Sequence, residues 1–348
     1  MSDIIRIGVV GAGGNTRLHH IPKLKKIAGV EIASVVNRSR ESSERVAQEF
    51  GIKRVHDTWQ ELVNDPGVDA VVIGTWPYMH CTVTLAALAA GKHVLTEARI
   101  AMNAAEARQM LAASRLRPDL VTQVVPGPTT FKADPMVMHL LADGYIGELQ
   151  AIDLRVPSGF LNRDAPLTWR LNRDYSGMNI MSMGIWYECL SRWVGPATAI
   201  MARTRTAVPY RVDQERGERR AVTVPDHVEV LADLANGAIA RMHWSSVIGF
   251  MPGPEVCVYG SEGTLRLEMR GRDSVLWGGR RGDKEMKEIA IPADKTYGWR
   301  VEEEFIGAIR GHEPIRRTSF LDAVNYMDFT EAVHISSREG RRVYLPLA

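Results

Sequence analysis

Arg6-Ile7-Gly8-Val9-Val10-Gly11-Ala12-Gly13-Gly14-Asn15-Thr16 is the stretch whose reading decides the fold. Ile4 to Val10 is apolar and β-branched, as a central parallel strand covered on both faces must be. Gly11 and Gly13 follow directly and permit the tight turn and close backbone approach that a pyrophosphate needs; Gly14 and Asn15 complete the loop. A helix over Thr16–Ile27 then aims its N-terminal amides at the phosphates. Thr16 occupies the place of a customary third Gly or Ala, so the motif is G-x-G-x-x-T and by itself only suggestive. Its context strengthens it, because Val30–Val36 supplies a second strand roughly 20 residues on. The expectation is a dinucleotide site; the plain alternative is a tight turn in some other α/β protein.

Working outward, Asn37-Arg38-Ser39-Arg40 ends the second strand, where an adenine ribose would lie. An acidic residue there would accept from the ribose hydroxyls, whereas Asn37 flanked by Arg38 and Arg40 favours a 2′-phosphate. NADP(H) is therefore expected over NAD(H), against the alternative that both arginines are solvated surface charges. Helices at Ser42–Phe50, Trp59–Val63, Thr82–Ala90 and Asn103–Ala113 alternate with strands at Lys53–Val55, Asp69–Thr75, His93–Glu97 and Leu120–Val125. That is a doubly wound parallel sheet. Thr75 and the segment Trp76-Pro77-Tyr78-Met79-His80 fall at its carboxyl end, where ligands of such sheets bind.

Beyond Pro126-Gly127-Pro128 the pattern changes. One helix, Asp134–Gly144, precedes strands that come mostly as neighbours: Leu149–Val156, His227–Leu234, Ala238–Ser246, Glu255–Tyr259, Gly263–Glu268, Val275–Trp277 and Lys287–Ile291. Helices at Trp299–Arg310 and Phe320–Arg338 and a strand at Val343–Pro346 close the chain. The expected organisation is an N-terminal Rossmann domain, residues 1–126, and an α+β domain with an open, mostly antiparallel sheet, residues 127–348.

The 348 residues suit two domains, each with its own core. Lys and Arg number 43 against 41 Asp and Glu, which gives no case for nucleic acid or a membrane as partner. Three widely spaced cysteines, Cys81, Cys189 and Cys257, exclude a disulfide framework or C-x-x-C knuckle and suit a reducing compartment. The first strand begins almost at once, leaving no room for a signal peptide, and no apolar run reaches a membrane span, so a cytoplasmic location is expected. No metal is expected either. His19 and His20 are neighbours, diverging by about 100 degrees on a helix, and His139, His227, His243, His312 and His334 are scattered and read as structural.

These landmarks resemble the Gfo/Idh/MocA family of sugar and polyol oxidoreductases. The resemblance runs the whole length: the opening Gly-Val-Val-Gly-Ala-Gly-Gly, the Ala-Leu-Ala-Ala-Gly-Lys-His-Val-Leu-Thr-Glu run from Ala87, Gly147-Glu148-Leu149, the Gly260-Ser261-Glu262-Gly263 turn and Ser-Arg-Glu-Gly-Arg-Arg-Val from Ser337. It implies this fold, a nicotinamide cofactor, a small cyclic substrate and a homodimer or homotetramer assembled through the open sheet face. Two departures stand out. The family's Glu-Lys-Pro, whose lysine polarises the reacting oxygen, is here Glu97-Ala98-Arg99. The family's helix histidine, in a pattern near Asp-x-Gly-x-His-x-x-Asp, is replaced by Trp186 when Ser182-Met183-Gly184-Ile185-Trp186-Tyr187-Glu188-Cys189 is aligned on Gly184.

Hydride transfer at a carbon bearing oxygen needs a group that gives or takes the oxygen's proton, and neither Ala98 nor Trp186 does this. Three readings stay open: a dehydrogenase or reductase with a re-equipped site, a redox-neutral lyase, isomerase or glycoside-cleaving enzyme with retained cofactor, and a non-catalytic nucleotide-binding protein. Arg99, His80, Tyr187 and Ser182 are the catalytic candidates. Arg99 acts only electrostatically, His80 matches a family position beside the cofactor, and Tyr187 and Ser182 stand on the helix that carried the histidine. Glu97 and Arg170 are expected at the cofactor by resemblance, with Lys132, Asn179, Trp186 and Arg173 toward the substrate.

Overall fold

The computed structural model describes residues 4–348 except 215 and 272. The chain forms two compact units, one of Met1–Pro126 with Arg300–Met327 and one of Gly127–Trp299 with Asp328–Ala348.

The first unit is built on six parallel strands: β1 (Ile5–Val10), β2 (Val30–Val36), β3 (Arg54–Val55), β4 (Ala70–Ile73), β5 (His93–Thr96) and β6 (Thr122–Val124). Their order is β3-β2-β1-β4-β5-β6, so the chain reverses direction across the sheet between β1 and β4. Helices α1 (Ile21–Leu24), α2 (Arg40–Phe50), α3 (Trp59–Asn64), α4 (Pro77–Ala89) and α5 (Ala104–Leu116) join them. All four residues of β4 are buried, which is why they read as an unbroken apolar run.

Helix starts differ from expectation where capping decides them. The helix expected from Thr16 opens as one wide π turn, Thr16–His20, before α1, because Pro22 has no N–H to give the carbonyl of Leu18 and the ladder must change register. Helix α4 begins at Pro77 rather than Thr82, since proline is well suited to a first helical position, so Tyr78, Met79 and His80 are helical and not in a loop. In α2 the Ser39 side chain caps the Ser42 amide.

The second unit contains α6 (Asp134–Ala142), β7 (Leu149–Pro157), α7 (Arg173–Ser176), α8 (Met183–Val194), β8 (Ala197–Arg205), β9 (Tyr210–Asp213), β10 (Glu218–Ala221), β11 (His227–Leu234), β12 (Ile239–Ser245), β13 (Glu255–Gly260), β14 (Gly263–Arg270), β15 (Asp273–Arg280) and β16 (Lys287–Glu288). Helices α9 (Val301–Ile309) and α10 (Phe320–Glu339) and strand β17 (Val343–Tyr344) follow. The nine-stranded order is β16-β15-β14-β13-β7-β12-β11-β8-β17, antiparallel at every pairing except β7 with β12, and β9–β10 is a separate hairpin. The inner face is covered by helices: Phe329 of α10 stacks on Tyr187 of α8 with ring centroids 3.7 Å apart and meets Trp244 of β12 edge-on at 6.3 Å.

Two differences from the sequence reading follow. Strand β8 and the β9–β10 hairpin had no counterpart in it; β8 alternates with alanines on its inner side, a weak signal. The boundary at 126 omits a return: Arg300–Met327 clusters with the first unit, held there by His20 on Glu302, Gln123 on the Arg317 carbonyl and the Tyr326 hydroxyl accepting from the Ile100 amide at 2.7 Å. Among the described residues no helix is long and apolar enough to cross a membrane.

Candidate active site

In the first unit the glycine turn is fixed from three sides. Gly11 has φ +82° and donates its N–H to the Val36 carbonyl at 2.8 Å. A Cβ at Gly11 would lie 2.8 Å from the Thr75 nitrogen and 3.0 Å from its Cα, so only glycine lets β1 end beside β4. Around Gly14 there is open space, as a loop that accepts a phosphate requires. Thr16, the odd residue of the motif, is 1% exposed and packs on Gly74, whose own Cβ would collide with the Thr16 hydroxyl and the Gly11 carbonyl. Space lost at position 16 is thus restored at position 74, so the close helix–strand approach survives without a third glycine.

Asn37 acts as a latch. Its Oδ1 accepts from the Ala12 amide at 2.7 Å, its Nδ2 donates to the Ser42 carbonyl at 3.0 Å, and its backbone N–H donates to Ser43 Oγ at 2.8 Å. Arg38 is exposed, and Arg40 is engaged with Glu44 at 2.7 Å and Asp57 at 2.8 Å.

His80 does not present itself to a ligand. It is completely buried, with Nδ1 2.9 Å from the Arg99 carbonyl and Nε2 3.0 Å from the Thr75 carbonyl. Burial holds its pKa below the usual value despite both carbonyls, and the neutral ring donates its single N–H to one of them while it packs against the other, between the ends of β4 and β5. The expectation of a catalytic His80 is corrected to a positioning one. Trp76 precedes α4, its ring edge-on to Tyr78 at 6.5 Å, and Arg99 is 6% exposed.

The residue that sequence reasoning missed is His20. Its side chain is fully buried between two carboxylates, Nδ1 2.6 Å from Glu302 Oε1 and Nε2 3.0 Å from Glu97 Oε1. Asn15 Nδ2 donates to the same Glu97 oxygen, and Glu97 Oε2 accepts from the Ala98 amide at 3.2 Å. Burial alone would lower the His20 pKa, but hydrogen bonds to Glu302 and Glu97 outweigh it and raise it to about 9. Burial alone would raise Glu97, and the bonds from His20 and Asn15 bring it below the usual range instead. The segment Glu97-Ala98 therefore carries an ionised carboxylate braced by an imidazolium. Glu302 lies 282 residues from His20, a separation that no local pattern spans.

In the second unit the candidates gather around the start of α8. Asn179 is 1% exposed and its Nδ2 donates to the Ser176 carbonyl at 2.7 Å; the Ser182 carbonyl accepts from the Trp186 amide at 3.1 Å; Trp186 is 4% exposed. Arg173 donates its amide to Thr223 Oγ1 at 2.8 Å and lies 3.3 Å from His334 Nδ1. His334 donates Nε2–H to the Met178 carbonyl at 2.7 Å, and burial brings its pKa down to about 4, so it is neutral and accepts from Arg173. Arg170 is exposed and lies over the Trp169 ring at 4.3 Å. Lys132 is ion-paired with Asp273 at 2.6 Å.

Two readings on this unit need correction. Tyr187 is a core residue: its ring is stacked on Phe329 and its hydroxyl accepts from the Ala197 amide at 2.8 Å, with burial pushing its pKa up to about 12, so it is no proton donor for a ligand. Its neighbour Glu188 is 4% exposed, with Oε2 accepting from the Gly127 amide at 3.1 Å and Oε1 from Arg192 at 2.7 Å. The scattered histidines are not all isolated, since His227 and His243 converge on Glu229. Cys189 stays inert, its thiol pushed up to about 11 by burial.

Two sequence models match the chain, the oxidoreductase family with NAD-binding Rossmann fold over residues 5–123 and the GFO/IDH/MocA C-terminal domain over residues 136–266. An uncharacterized oxidoreductase of Synechocystis is 26% identical over 271 residues, covering 76% of this chain and 71% of its own. The 1,5-anhydro-D-fructose reductase of Ensifer adhaerens is 40% identical over 110 residues, but only 32% of this chain and 33% of that enzyme are matched. A levoglucosan dehydrogenase solved with NADH and L-sorbose superimposes with a TM-score of 0.84 at 20% identity, covering 98% of this chain and 99% of that one. With the glycine turn, the latch of Asn37 and both domain signatures in one chain, this protein belongs to the Gfo/Idh/MocA family of NAD(P)-dependent oxidoreductases.

Proposed function

We propose that this chain is an NADP(H)-preferring oxidoreductase that acts on a hydroxyl or carbonyl of a small cyclic, sugar- or polyol-like molecule, with an atypical set of proton-handling groups. The observation that carries the reading is the pair of braces at the cofactor end: Gly11 pressed on Thr75, and Glu97 ionised against His20. Gly11, Gly13, Gly14, Asn15 and Thr16 would hold the pyrophosphate, with Thr75, Trp76 and Glu97 toward the nicotinamide. The cofactor supplies hydride transfer to or from the substrate carbon. The protein must orient the substrate, exclude water and manage one proton.

Ala98 and Trp186 manage none, His80 is sealed by two carbonyls and Tyr187 lies in a core. Of the catalytic candidates Ser182 is left to pass the substrate oxygen's proton, with Arg99 as an electrostatic aid to a developing oxyanion; Asn179 and Arg173 are left as substrate-binding groups in the second unit, with Arg170 and Lys132 as peripheral charge. The relatives' named substrates, an anhydrofructose for the Ensifer reductase and levoglucosan for the structural neighbour, support a compact ring as ligand class.

The cofactor preference rests on Asn37 and Arg38. With Oδ1 and Nδ2 of Asn37 both engaged, β2 ends without a carboxylate to accept from ribose hydroxyls. Arg38, exposed at the end of β2 directly after the Asn37 latch, is the guanidinium assigned to a 2′-phosphate. Arg38→Ala is expected to weaken NADPH binding about tenfold, roughly 1.4 kcal/mol, and to leave NADH binding within a factor of two. Equal losses for both nucleotides in a fluorescence titration remove Arg38 from that role.

The absent lysine and histidine favour one second reading, redox-neutral chemistry with the cofactor recycled or retained. A single-turnover assay with stoichiometric NADPH or NADP⁺ and a panel of anhydrosugars, inositols and cyclic carbonyls separates the two. A lasting nicotinamide absorbance change is expected; product by mass spectrometry without it rejects net oxidoreduction. A homodimer or homotetramer is part of the proposal, supported by Met201, Leu231 and Ile239, which are half exposed on the outer face of the large sheet.

A further inference from the structure

We propose that His227, Glu229 and His243 form a site for one divalent transition ion of the zinc class on the outer face of the large sheet. Nothing in the oxidoreductase chemistry calls for it. The site arises from strand geometry. His227 and Glu229 are two apart on β11, so the pleat puts both on one face, and β12 pairs antiparallel with Glu229 directly opposite His243. One ligand atom from each of the three lies within 4.8 Å of the others.

The separations bear on what the cluster can hold. A tetrahedral ion with bonds of about 2.0–2.1 Å requires its ligand atoms to be roughly 3.3 Å apart. His227 Nε2 is 3.4 Å from Glu229 Oε1, already at that spacing. His243 Nδ1 is 2.6 Å from the same oxygen, a hydrogen bond, so one rotation of the Glu229 carboxylate by several tenths of an ångström opens the third position. The ring centroids of the two histidines are 5.1 Å apart and nearly perpendicular, which keeps them from sealing the site against each other.

His227 is also oriented from behind. Its Nδ1 is 3.1 Å from Ser245 Oγ, and a proton donated there leaves the Nε2 lone pair turned toward Glu229, the arrangement by which outer partners fix the tautomer of a metal-binding imidazole. The side chains are 22%, 48% and 12% exposed for His227, Glu229 and His243 in the single chain, which leaves the fourth position to water there or to a second copy seated on the same face. Two imidazoles and one carboxylate match the borderline ions and give calcium or magnesium little reason to bind. Arg205 pairs opposite His227 and Arg203 opposite Glu229 on β8, a positive surround that limits affinity; Arg241, the next cation along, is neutralised by Asp153 at 2.6 Å. The expected dissociation constant is on the order of micromolar.

The test uses the full chain stripped with chelator and titrated with ZnCl₂ by calorimetry, in parallel with Co²⁺ absorption. One equivalent of Zn²⁺ is expected, together with the visible band of a low-coordinate N/O-bound cobalt. His227→Asn and His243→Asn should each weaken it at least tenfold with unchanged circular dichroism. His139→Asn, which removes a half-buried histidine paired with Asp143 at 3.2 Å, should leave it unchanged. The proposal is overturned if wild type takes up no equivalent, if the His139 variant loses it, or if folded His227 and His243 variants retain it. The cobalt spectrum of the wild type decides the matter should either variant fail to fold: an octahedral aquo spectrum at one equivalent rejects the site.

Discussion

Gly11→Ala is expected to fold and to lose nicotinamide nucleotide affinity by about two orders of magnitude. Two costs combine. The backbone at position 11 has φ +82°, where a side chain costs on the order of 1 kcal/mol or more. The added methyl would also stand 2.8 Å from the Thr75 nitrogen, and backbone, unlike the end of a flexible side chain, has no rotamer by which to withdraw. Relief comes by moving the turn off the end of β4, displacing the amides that would meet the pyrophosphate. A loss of about 3 kcal/mol in binding is roughly 100-fold. Gly51→Ala is the control: its φ is +66° but nothing lies within 4 Å of the added Cβ. It carries strain without collision, far from the turn, and should lower the melting temperature slightly while leaving affinity intact. A Gly11→Ala protein binding NADPH within threefold of wild type would sink the account of the turn.

This comparison also marks how far the sequence could be read. Gly11 declared itself because the need for it is local: a strand, a positive φ and a helix lie within a dozen residues. The parallel order of the first sheet was legible for the same reason, each buried strand being a run of β-branched residues bounded by a turn. Gly74 was not legible as the partner of Thr16, since nothing in either residue's neighbourhood says that the two meet. Asn37 was read only as a nucleotide contact, and its hold on the Ala12 amide and the Ser42 carbonyl was not legible, since that use depends on where the turn comes to rest. Tyr187 and Glu188 have side chains whose roles are decided by what α8 packs against, Phe329 and the Gly127 amide, both remote in sequence. His227 and His243, read as scattered, and His20, read only as the neighbour of His19, fall in two clusters for the same cause: strand pairing and a returning helix set their neighbours, and periodicity is silent on both.

His20 carries the largest expected stability effect. Its proton is bound more tightly in the folded protein, about 9 against an ordinary value of 6.5. The stabilisation is therefore fully present below pH 6.5 and lost as pH rises through about 9, amounting to roughly 3 kcal/mol. Melting temperature should fall on the alkaline side between those values, in the direction opposite to the acid loss that carboxylates such as Glu97, held below their usual range, produce. His20→Leu removes the cation and leaves Glu97 and Glu302 facing an apolar side chain, and stranding a buried charge in this way costs about 3–5 kcal/mol. For a unit of this size that is on the order of 10 °C. The alkaline fall should vanish in the variant, a signature that lost packing alone would not give. His20→Leu combined with Glu302→Leu should be more stable than His20→Leu alone, because the fully buried carboxylate is then gone as well. Thermal melts of the wild type and both variants across pH 6 to 10 test all of this. A His20→Leu protein with an unchanged melting temperature and an intact alkaline limb would mean that the two carboxylates are compensated elsewhere, and that the brace on Glu97 is not electrostatic.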